Sequence, residues 1–374
     1  DGSVQFQALQ ALTCLTRGMA PAGEDAEIDL PAEASRTAAS LFPAGSDRTR
    51  EQALAILANL AGSCAALRDL LVAQGSAKIV FASVQVQDAG QPGPVTQKLA
   101  TFLGRLCCWD EPPALGEDAG QLVTHLAILS TSNNETVLLQ ALQALASLSF
   151  RDQATLLPIV KHAVLERLVF LFEQPSSEIS VWAARAARKA AFGNMIGMQA
   201  FLLTEPVPAL KEMLLRVEEP LVQREACLLL ADILAVGGPH VREVVDAGCL
   251  PLFTGLLREG SEELVSAAVL AFAALSTSCT PQGLEPLVDD DTTRLILGSL
   301  DTQSSQIVRP ALRFLENIVK AGKSLQEQRG LPANRVAELL QASGGGEKLK
   351  AVMEVSDDRT TCLRAMAILH ACCA

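Results

Sequence analysis

The stretch Ala53-Leu-Ala-Ile-Leu-Ala-Asn-Leu60 decides the fold of this chain, because its apolar helical pattern recurs along the whole sequence. Other clear copies are Ala141-Leu-Gln-Ala-Leu-Ala-Ser-Leu148 and Ala311-Leu-Arg-Phe-Leu-Glu-Asn-Ile318. The seventh residues of nine copies form a column with intervals of 45, 46, 42, 42, 43, 42, 43 and 51 residues. The column reads Cys14, Asn59, Arg105, Ser147, Lys189, Asp232, Ala274, Asn317 and Ile368. A nearly constant interval of this length is typical of a helical repeat array.

The unit over residues 239–278 shows the plan of one repeat most clearly. Gly248 suits the left-handed end of a helix, and Ser261 is a typical residue for capping the start of the next long one. We therefore predict three helices in this unit, over His240–Asp246, Leu250–Arg258 and Glu262–Thr277.

Turn residues mark the boundaries between such units. We expect loops at Ala20–Asp29, Gln87–Pro94 and Trp109–Gly120, which are rich in Gly, Pro or acidic residues. Gly344-Gly-Gly346 predicts a helix break, since no Lys-Ser/Thr pair follows it as in a phosphate-binding loop. Asp289-Asp-Asp291 opens a helix and lacks the alternating ligands of a calcium loop, so we interpret it as a cap.

Composition supports closely packed helices. Hydrophobic residues make up 49% of the chain, aromatic residues only 4%, and Tyr is absent, so the core must consist of Ala, Leu, Val and Ile. A repeat array extends as one elongated unit. We therefore predict a single domain over residues 1–374, with atypical or incomplete terminal repeats at 1–20 and 323–374.

Charge and cysteine usage restrict the partners and the compartment. The net charge of −12 opposes nonspecific attraction to nucleic acid or anionic lipid. No apolar run approaches the roughly 20 residues that span a bilayer, so membrane insertion is not expected. The ten cysteines show no regular framework, which predicts buried free thiols in a reducing compartment. In that compartment Asn134-Glu-Thr136 is a helix start and not a glycosylation site.

These observations favour a cytoplasmic location. The chain opens at Asp1, directly before a repeat helix, and we expect a removed or unseen segment upstream. A targeting segment, an autoinhibitory arm and a simple cap remain open, and with them an organellar or nuclear location.

The sequence offers no constellation for catalysis. The four histidines, His125, His162, His240 and His370, lie in separate units without ligand or triad spacing, and we expect most of them at the surface or at helix ends. The adjacent cysteine pairs at 107–108 and 372–373 lack the two intervening residues of a redox pair. We predict no enzyme activity, no catalytic residue, no cofactor and no metal site.

The three-helix unit of about 42 residues resembles the armadillo repeat. Within that superfamily, two stretches are similar to importin alpha: Arg242-Glu-Val-Val-Asp-Ala-Gly-Cys-Leu-Pro-Leu-Phe253 and Ile307-Val-Arg-Pro-Ala-Leu-Arg-Phe-Leu-Glu-Asn-Ile-Val319. The later stretch Gly344-Gly-Gly-Glu-Lys-Leu-Lys350 is similar to the closing repeat of that family. The resemblance implies an all-α, right-handed superhelix (solenoid) of about nine repeats, with a concave groove lined by the third helices.

The importin alpha resemblance also implies a peptide-binding ladder, and this sequence departs from it. In that family, column Asn residues clamp an extended peptide, and a Trp one helical turn earlier packs beside basic cargo side chains. Only Asn59 and Asn317 match the Asn position. No Trp occupies the positions four residues earlier, which are Gln10, Ala55, Thr101, Gln143, Arg185, Leu228, Leu270, Arg313 and Arg364.

The groove that the resemblance implies therefore has a mixed surface, suited to an acidic or amphipathic segment of another protein. Trp182 we assign to packing between repeats. The candidate partner-binding residues are Asn59, Arg105, Arg185, Lys189, Asp232, Arg313 and Asn317.

Several roles remain open at this point. The chain is predicted to be a noncatalytic scaffold or adaptor for other proteins. The alternatives are a structural subunit of a large assembly, which contacts partners through its flanks and ends, and a divergent nuclear import adaptor. A solvated third-helix surface with no ligand is also open.

Overall fold

The computed structural model of the chain describes residues 2–17, 29–84, 92–150, 152–284, 290–302 and 304–373. Within these ranges the regular structure is α-helix with short 3-10 turns and contains no β-strand, so the predicted all-α class is confirmed. The helices fall into two compact units, Asp1–Pro206 and Val207–Ala374. The single domain over residues 1–374 remains a prediction. No helix of the described part is long and apolar enough to cross a membrane.

The first unit is a stack of helices in which long third helices alternate with shorter ones. Helices α3, α6, α8 and α11 pack side by side, and α1 packs against α3. The described helices of this unit are α1 Gly2–Thr16, α2 Asp29–Leu41, α3 Asp47–Ser63, α4 Ala65–Ala73, α5 Ser76–Ser83, α6 Pro94–Cys107, α7 Ala119–Leu129, α8 Glu135–Ser147, α9 Gln153–Lys161, α10 Val164–Phe172, α11 Ser177–Ala191 and α12 Met195–Leu202.

Small side chains allow these third helices to approach one another closely. Helix α11 buries a run of alanines, each at most 1% exposed: Ala183, Ala184, Ala186, Ala187, Ala190 and Ala191. Alanine loses no side-chain entropy in a helix, which favours the helix itself as well as the close packing. The core contains the Ala, Leu, Val and Ile expected from composition, but the expectation is incomplete because buried phenylalanines belong to it as well.

Polar side chains fix where several helices begin. Asn134 Oδ1 accepts a hydrogen bond from the Val137 backbone N–H at 3.1 Å, which confirms the predicted helix start. Asp152 Oδ1 caps α9 in the same way, by accepting from the Thr155 N–H at 2.8 Å. Each bond satisfies a backbone donor that a helix N-terminus leaves without an intrahelical acceptor.

The second unit repeats the same plan. Helices α14, α17, α20 and α23 pack in succession as third helices. The described helices of this unit are α13 Val207–Leu214, α14 Pro220–Val236, α15 Pro239–Asp246, α16 Cys249–Glu259, α17 Glu262–Ser278, α18 Pro281–Leu284, α19 Asp290–Gly298, α20 Ser305–Arg329, α21 Arg335–Ala342, α22 Gly345–Val355 and α23 Arg359–Cys373, with a 3-10 turn at Ser299–Asp301 between α19 and α20.

The predicted plan of the unit over residues 239–278 is confirmed to within one residue at each helix end. Gly248 adopts φ 76°, a left-handed conformation that favours glycine, at the junction of α15 and α16. Gly344 has φ 74° between α21 and α22, which confirms the predicted helix break. Ser261 does precede α17, but its side chain makes no capping hydrogen bond, so that part of the expectation is wrong.

Phenylalanine rings provide the largest side chains in the core of this unit. Phe272 of α17 lies edge-on to Phe253 of α16, with ring centroids 6.0 Å apart, and edge-on to Phe314 of α20, at 5.9 Å. All three rings are at most 1% exposed. The series joins the second helix of one repeat to the third helix of the next.

The 51-residue interval at the end of the column coincides with a long helix. Helix α20 has 25 residues and continues through Gly322 to Arg329. The column does not keep its surface position beyond it, since Ile368 is only 1% exposed. In α23, therefore, the column residue lies on the buried side of the helix.

Some predicted turns lie outside the described residues. Residues 20–28 and 87–91, most of two predicted loops, fall there, as does Asp289 of the Asp289-Asp-Asp291 triplet. The predicted loop Trp109–Gly120 is irregular up to Leu115 and then forms a 3-10 turn at Gly116–Asp118 before α7 begins.

Cysteine burial is uneven. Every cysteine whose side chain the structure describes is free, as expected, and Cys107, Cys227 and Cys249 are buried. Burial raises the pKa of the Cys107 thiol to about 12 and that of Cys249 to about 11, because a thiolate would lose its hydration there. The expectation of burial is wrong for Cys14 and Cys108, which are exposed.

Candidate partner-binding face

The column found in the sequence marks the unburied side of the third helices. From α3 to α20, the column residue and the residue four positions before it are exposed or half-buried, while most residues between them are buried. This follows from the helical period of 3.6, which places positions four apart on one side. We call this side, within each unit, the third-helix face.

In the first unit, Asn59 and Arg105 are brought together. Arg105 Nη1 donates to Asn59 Oδ1 at 3.0 Å and to the Ala58 carbonyl at 3.3 Å. The Asn59 amide nitrogen donates to the Thr13 carbonyl at 3.4 Å and to Thr16 Oγ1 at 3.3 Å. Both ends of the amide are therefore used in linking α1, α3 and α6.

In the second unit, Asn317 makes the corresponding contact. Its amide nitrogen donates to Ser276 Oγ at 3.1 Å and to Thr277 Oγ1 at 3.3 Å, both on the preceding third helix. The two column asparagines thus share one local role, which is to bridge adjacent third helices.

Arg185 and Lys189 lie one turn apart on α11. The Arg185 guanidinium carbon is 4.9 Å from the centroid of the Trp182 ring, a cation–π arrangement that fixes the side chain along the helix. Trp182 is half-buried, and Lys189 is exposed. Asp232 is half-buried on α14 of the second unit.

The C-terminal end of the second unit concentrates arginines between α20 and α23. Arg309 Nη2 lies 3.2 Å from Asp358 Oδ2, and Arg364 Nε lies 3.2 Å from Glu316 Oε2. Arg313, between them on α20, is exposed. These three arginines line a cavity of about 240 Å³.

Asp358 is held in its charged form at this end. Its carboxylate accepts hydrogen bonds from the Thr361 hydroxyl at 2.6 Å and from the Thr360 N–H at 3.2 Å, where α23 begins. The Thr361 hydroxyl contributes most, and with the backbone donors and Arg309 it keeps the pKa of Asp358 below its ordinary value.

Metal-ligating side chains are not clustered in the part of the chain that the structure describes. No group of three or more His, Cys, Asp or Glu side chains there could hold a metal ion. His125 is buried, unlike the other histidines, and its ring nitrogens lie 2.7 Å from the Gln121 carbonyl and 3.2 Å from that of Val84. The first contact lies within α7, and the second joins α7 to the end of α5.

Comparison with known proteins decides the type of repeat. No protein-family model matches this chain. Importin subunit alpha-1b of Oryza sativa subsp. japonica is 24% identical over 348 residues, which are 93% of this chain and 64% of that protein. Importin subunit alpha-1a of the same organism is 25% identical over 98% of this chain and 68% of its own length. The chain thus spans about two thirds of the length of these relatives.

Solved structures show the same fold. An engineered protein superposes with a TM-score of 0.75 at 21% identity, over 100% of this chain and 96% of its own. A designed armadillo repeat protein has a TM-score of 0.57 at 21% identity, over 67% of this chain and 99% of its own. The chain has the armadillo-repeat fold, with a sequence that diverges from these relatives. The predicted solenoid class and the similarity to importin alpha are confirmed.

The armadillo third helices contain binding candidates that sequence reasoning did not select. Arg364 stands four residues before the column position of its repeat, as Arg313 does, so the same alignment could have paired them. Arg309 lies one turn before Arg313, and nothing in the sequence except its charge indicates a binding role. Only the packing of α23 against α20 brings the three guanidinium groups to one cavity.

Proposed function

We propose that this armadillo-repeat chain is a noncatalytic protein-binding scaffold or adaptor, which holds an extended segment of a partner protein on its third-helix face. One observation carries the proposal. The column and the positions four residues before it stay unburied through successive third helices, above a core that is closely packed. Within each unit, packed third helices of this kind display regularly spaced side chains to a partner.

Similarity to a peptide complex supports a peptide ligand. A designed armadillo repeat protein in complex with the peptide (KR)4 has a TM-score of 0.55 with this chain, at 20% identity and over 67% of it. That protein shows that the fold is able to present an extended peptide-binding surface. The ligand of the present chain has to be argued from its own residues.

The local geometry favours recognition through long charged side chains. Asn59 and Asn317 already hydrogen bond to neighbouring third helices, so a peptide backbone would have to displace those bonds. Arg105 and Lys189 are exposed on the third-helix face of the first unit, and Arg313 is exposed on that of the second. Arginine also forms forked hydrogen bonds with carboxylates.

Charge reversal on this face tests the proposal. Arg105→Glu, Lys189→Glu and Arg313→Glu, combined in one full-length chain, should remove binding of partner proteins captured from a lysate and of selected short peptides. The matched control reverses Lys161 and Arg242, which are exposed on the first helices α9 and α15. The proposal is contradicted if the face variant retains partners and peptides that the control loses.

A structural role in a large assembly is a second candidate, and exposed apolar residues favour it. On helices α9 and α12 of the first unit, Leu157, Met195 and Ile196 are 58%, 66% and 59% exposed, and Leu203 directly after α12 is 84% exposed. Contiguous exposed apolar surface often marks an interface. If Leu203→Ser and Ile196→Ser together release tightly bound subunits while the charge reversals do not, this second role replaces the first.

A divergent nuclear import adaptor is the third candidate, because the curated relatives are importin subunits alpha. Titration with a labelled basic nuclear-signal peptide addresses it directly, and no detectable binding by the intact chain would remove it. We retain a cytoplasmic location as a proposal, with an organellar or nuclear one as its alternatives; fractionation of cells that express the full protein distinguishes them.

A further inference from the structure

The end of the second unit carries a cavity whose charge opposes that of the whole chain. The chain has a net charge of −12. The cavity of about 240 Å³ between α20 and α23 is nevertheless lined by three arginines, Arg309, Arg313 and Arg364, and by one carboxylate, Asp358. With Asp358 and with Glu316, which lies 3.2 Å from Arg364 Nε, three positive and two negative charges leave one net positive charge at the cavity.

The Arg313 charge and several guanidinium N–H groups remain available to a ligand. Arg309 and Arg364 each contact one carboxylate oxygen, from Asp358 and Glu316 respectively, and a guanidinium carries five N–H donors. Arg313 is exposed and makes no hydrogen bond or ion pair with any residue of the described part of the chain. The wall therefore presents unused donors at close range.

A second cavity adjoins the first and is lined by apolar residues together with the charged residues Asp301, Lys348, Arg309 and Asp358. It has a volume of about 290 Å³ and includes Val308, Val352 and Val355 among its lining side chains. Arg309 and Asp358 line both cavities, so their ion pair stands between the two. Val355 is 62% exposed, which leaves apolar surface accessible from solvent.

We propose that this end of the chain binds an extended acidic segment of a partner protein, with a carboxylate of that segment in the arginine cavity and a nearby bulky apolar side chain in the valine-lined cavity. The inference rests on the proposed function, since it names the ligand chemistry of one part of the third-helix face. Charge complementarity selects the occupant. A basic segment would meet like charge, and a nucleic acid would find no aromatic ring among the side chains of either cavity for base stacking.

Short fluorescein-labelled peptides and the full chain provide the test, by fluorescence polarisation at low ionic strength. The probe alternates Glu and Leu in a Gly/Ser context. The comparison peptides replace every Glu by Gln, every Leu by Ser, or every Glu by Lys. We expect the Glu/Leu peptide to bind at least about tenfold more tightly than the Gln version, and added salt to weaken its binding.

Variants locate the site. Arg313→Gln should weaken the Glu/Leu peptide about tenfold, because the lost guanidinium has no internal partner to leave unpaired. Val355→Ser should weaken it less, and should abolish the difference between the Leu and Ser peptides. The matched control is Arg242→Gln, an exposed arginine on α15 of the same unit, which should stay within about twofold of the parent.

Each outcome separates this inference from the broader proposal. Equal binding of the Glu and Gln peptides, or an unchanged affinity after Arg313→Gln, overturns the acidic-segment site. If the Lys or Gln peptides then bind through other third-helix residues, the scaffold proposal stands without it. If no peptide of any charge class binds, both fail. Tighter binding of a single-stranded oligonucleotide or an anionic vesicle than of the Glu/Leu peptide also overturns the site.

Discussion

Replacing Phe272 by alanine tests whether the core of the second unit depends on its series of aromatic rings. The Phe272 ring is 1% exposed and lies edge-on to Phe253 and Phe314, at interplanar angles of 81° and 66°. Truncation of a buried phenylalanine costs about 3–5 kcal/mol. Each edge-on pair adds about 0.5–1.5 kcal/mol beyond the burial of area. We therefore expect the upper half of the range, about 4–5 kcal/mol, for Phe272→Ala.

Phe272→Leu separates the two contributions. Leucine keeps most of the apolar contact and loses both ring pairs, so the expected cost is about 1–3 kcal/mol. Urea unfolding of the full chain, followed by far-UV circular dichroism, measures the loss of stability. Amide hydrogen exchange in α17 assigns that loss to the second unit.

A matched control is available in the first unit. The Phe170 ring is 57% exposed, and its alanine variant should cost less than about 1 kcal/mol. If Phe272→Ala is no more destabilising than Phe170→Ala, the ring series does not hold the second unit together. If Phe272→Leu costs no more than Phe170→Ala, the ring pairs are not the main contribution of Phe272.

Three further predictions concern single residues. A Cβ on Gly197 would lie 2.2 Å from a backbone oxygen near the end of α11, so Gly197→Ala should cost about 1–3 kcal/mol in thermal unfolding. Gly255 has open space around it, and Gly255→Ala should stabilise α16 by about 0.5–1 kcal/mol. Changes of the opposite sign would disprove both predictions. The Thr155 hydroxyl lowers the pKa of Asp152 from 3.8, so the Asp152 cap stabilises the fold above that pH and its contribution is lost as the pH falls. Asp152→Ala should therefore cost about 1 kcal/mol at neutral pH and less in acid. A cost that does not change with pH would contradict this. At about pH 8 a thiol reagent should label the exposed Cys108 and spare the buried Cys107, whose pKa is raised to about 12; equal labelling in the folded chain would show that burial is misassigned.

Much of the fold could be predicted because helix periodicity is a local property. The interval of the column, the Gly248 and Gly344 junctions and the Asn134 helix start depend on residues a few positions apart. Those short-range rules hold whatever the rest of the chain does. They give a wrong result for α23, where the column position is the buried Ile368, because local spacing alone does not show which side of a helix the neighbouring helices cover.

The candidate site was only partly predictable. Asn59 and Arg105 were selected as separate members of a column 46 residues apart, but the structure joins them in one hydrogen-bonded bridge. Arg313 was selected, and its neighbours Arg309 and Arg364 were not. Charge along a sequence does not show which residues of adjacent repeats face one another.

Helical period and apolar spacing are sufficient to predict the repeat, the helical class and the side of each third helix from α3 to α20 that stays unburied. The tertiary structure decided which of those surface residues act together. The packing of α23 on α20 turns three separate arginines into one cavity, and the packing of α1, α3 and α6 ties Asn59 into the framework. Contacts between helices depend on the register at which they pack, and that register is fixed by the whole buried interface.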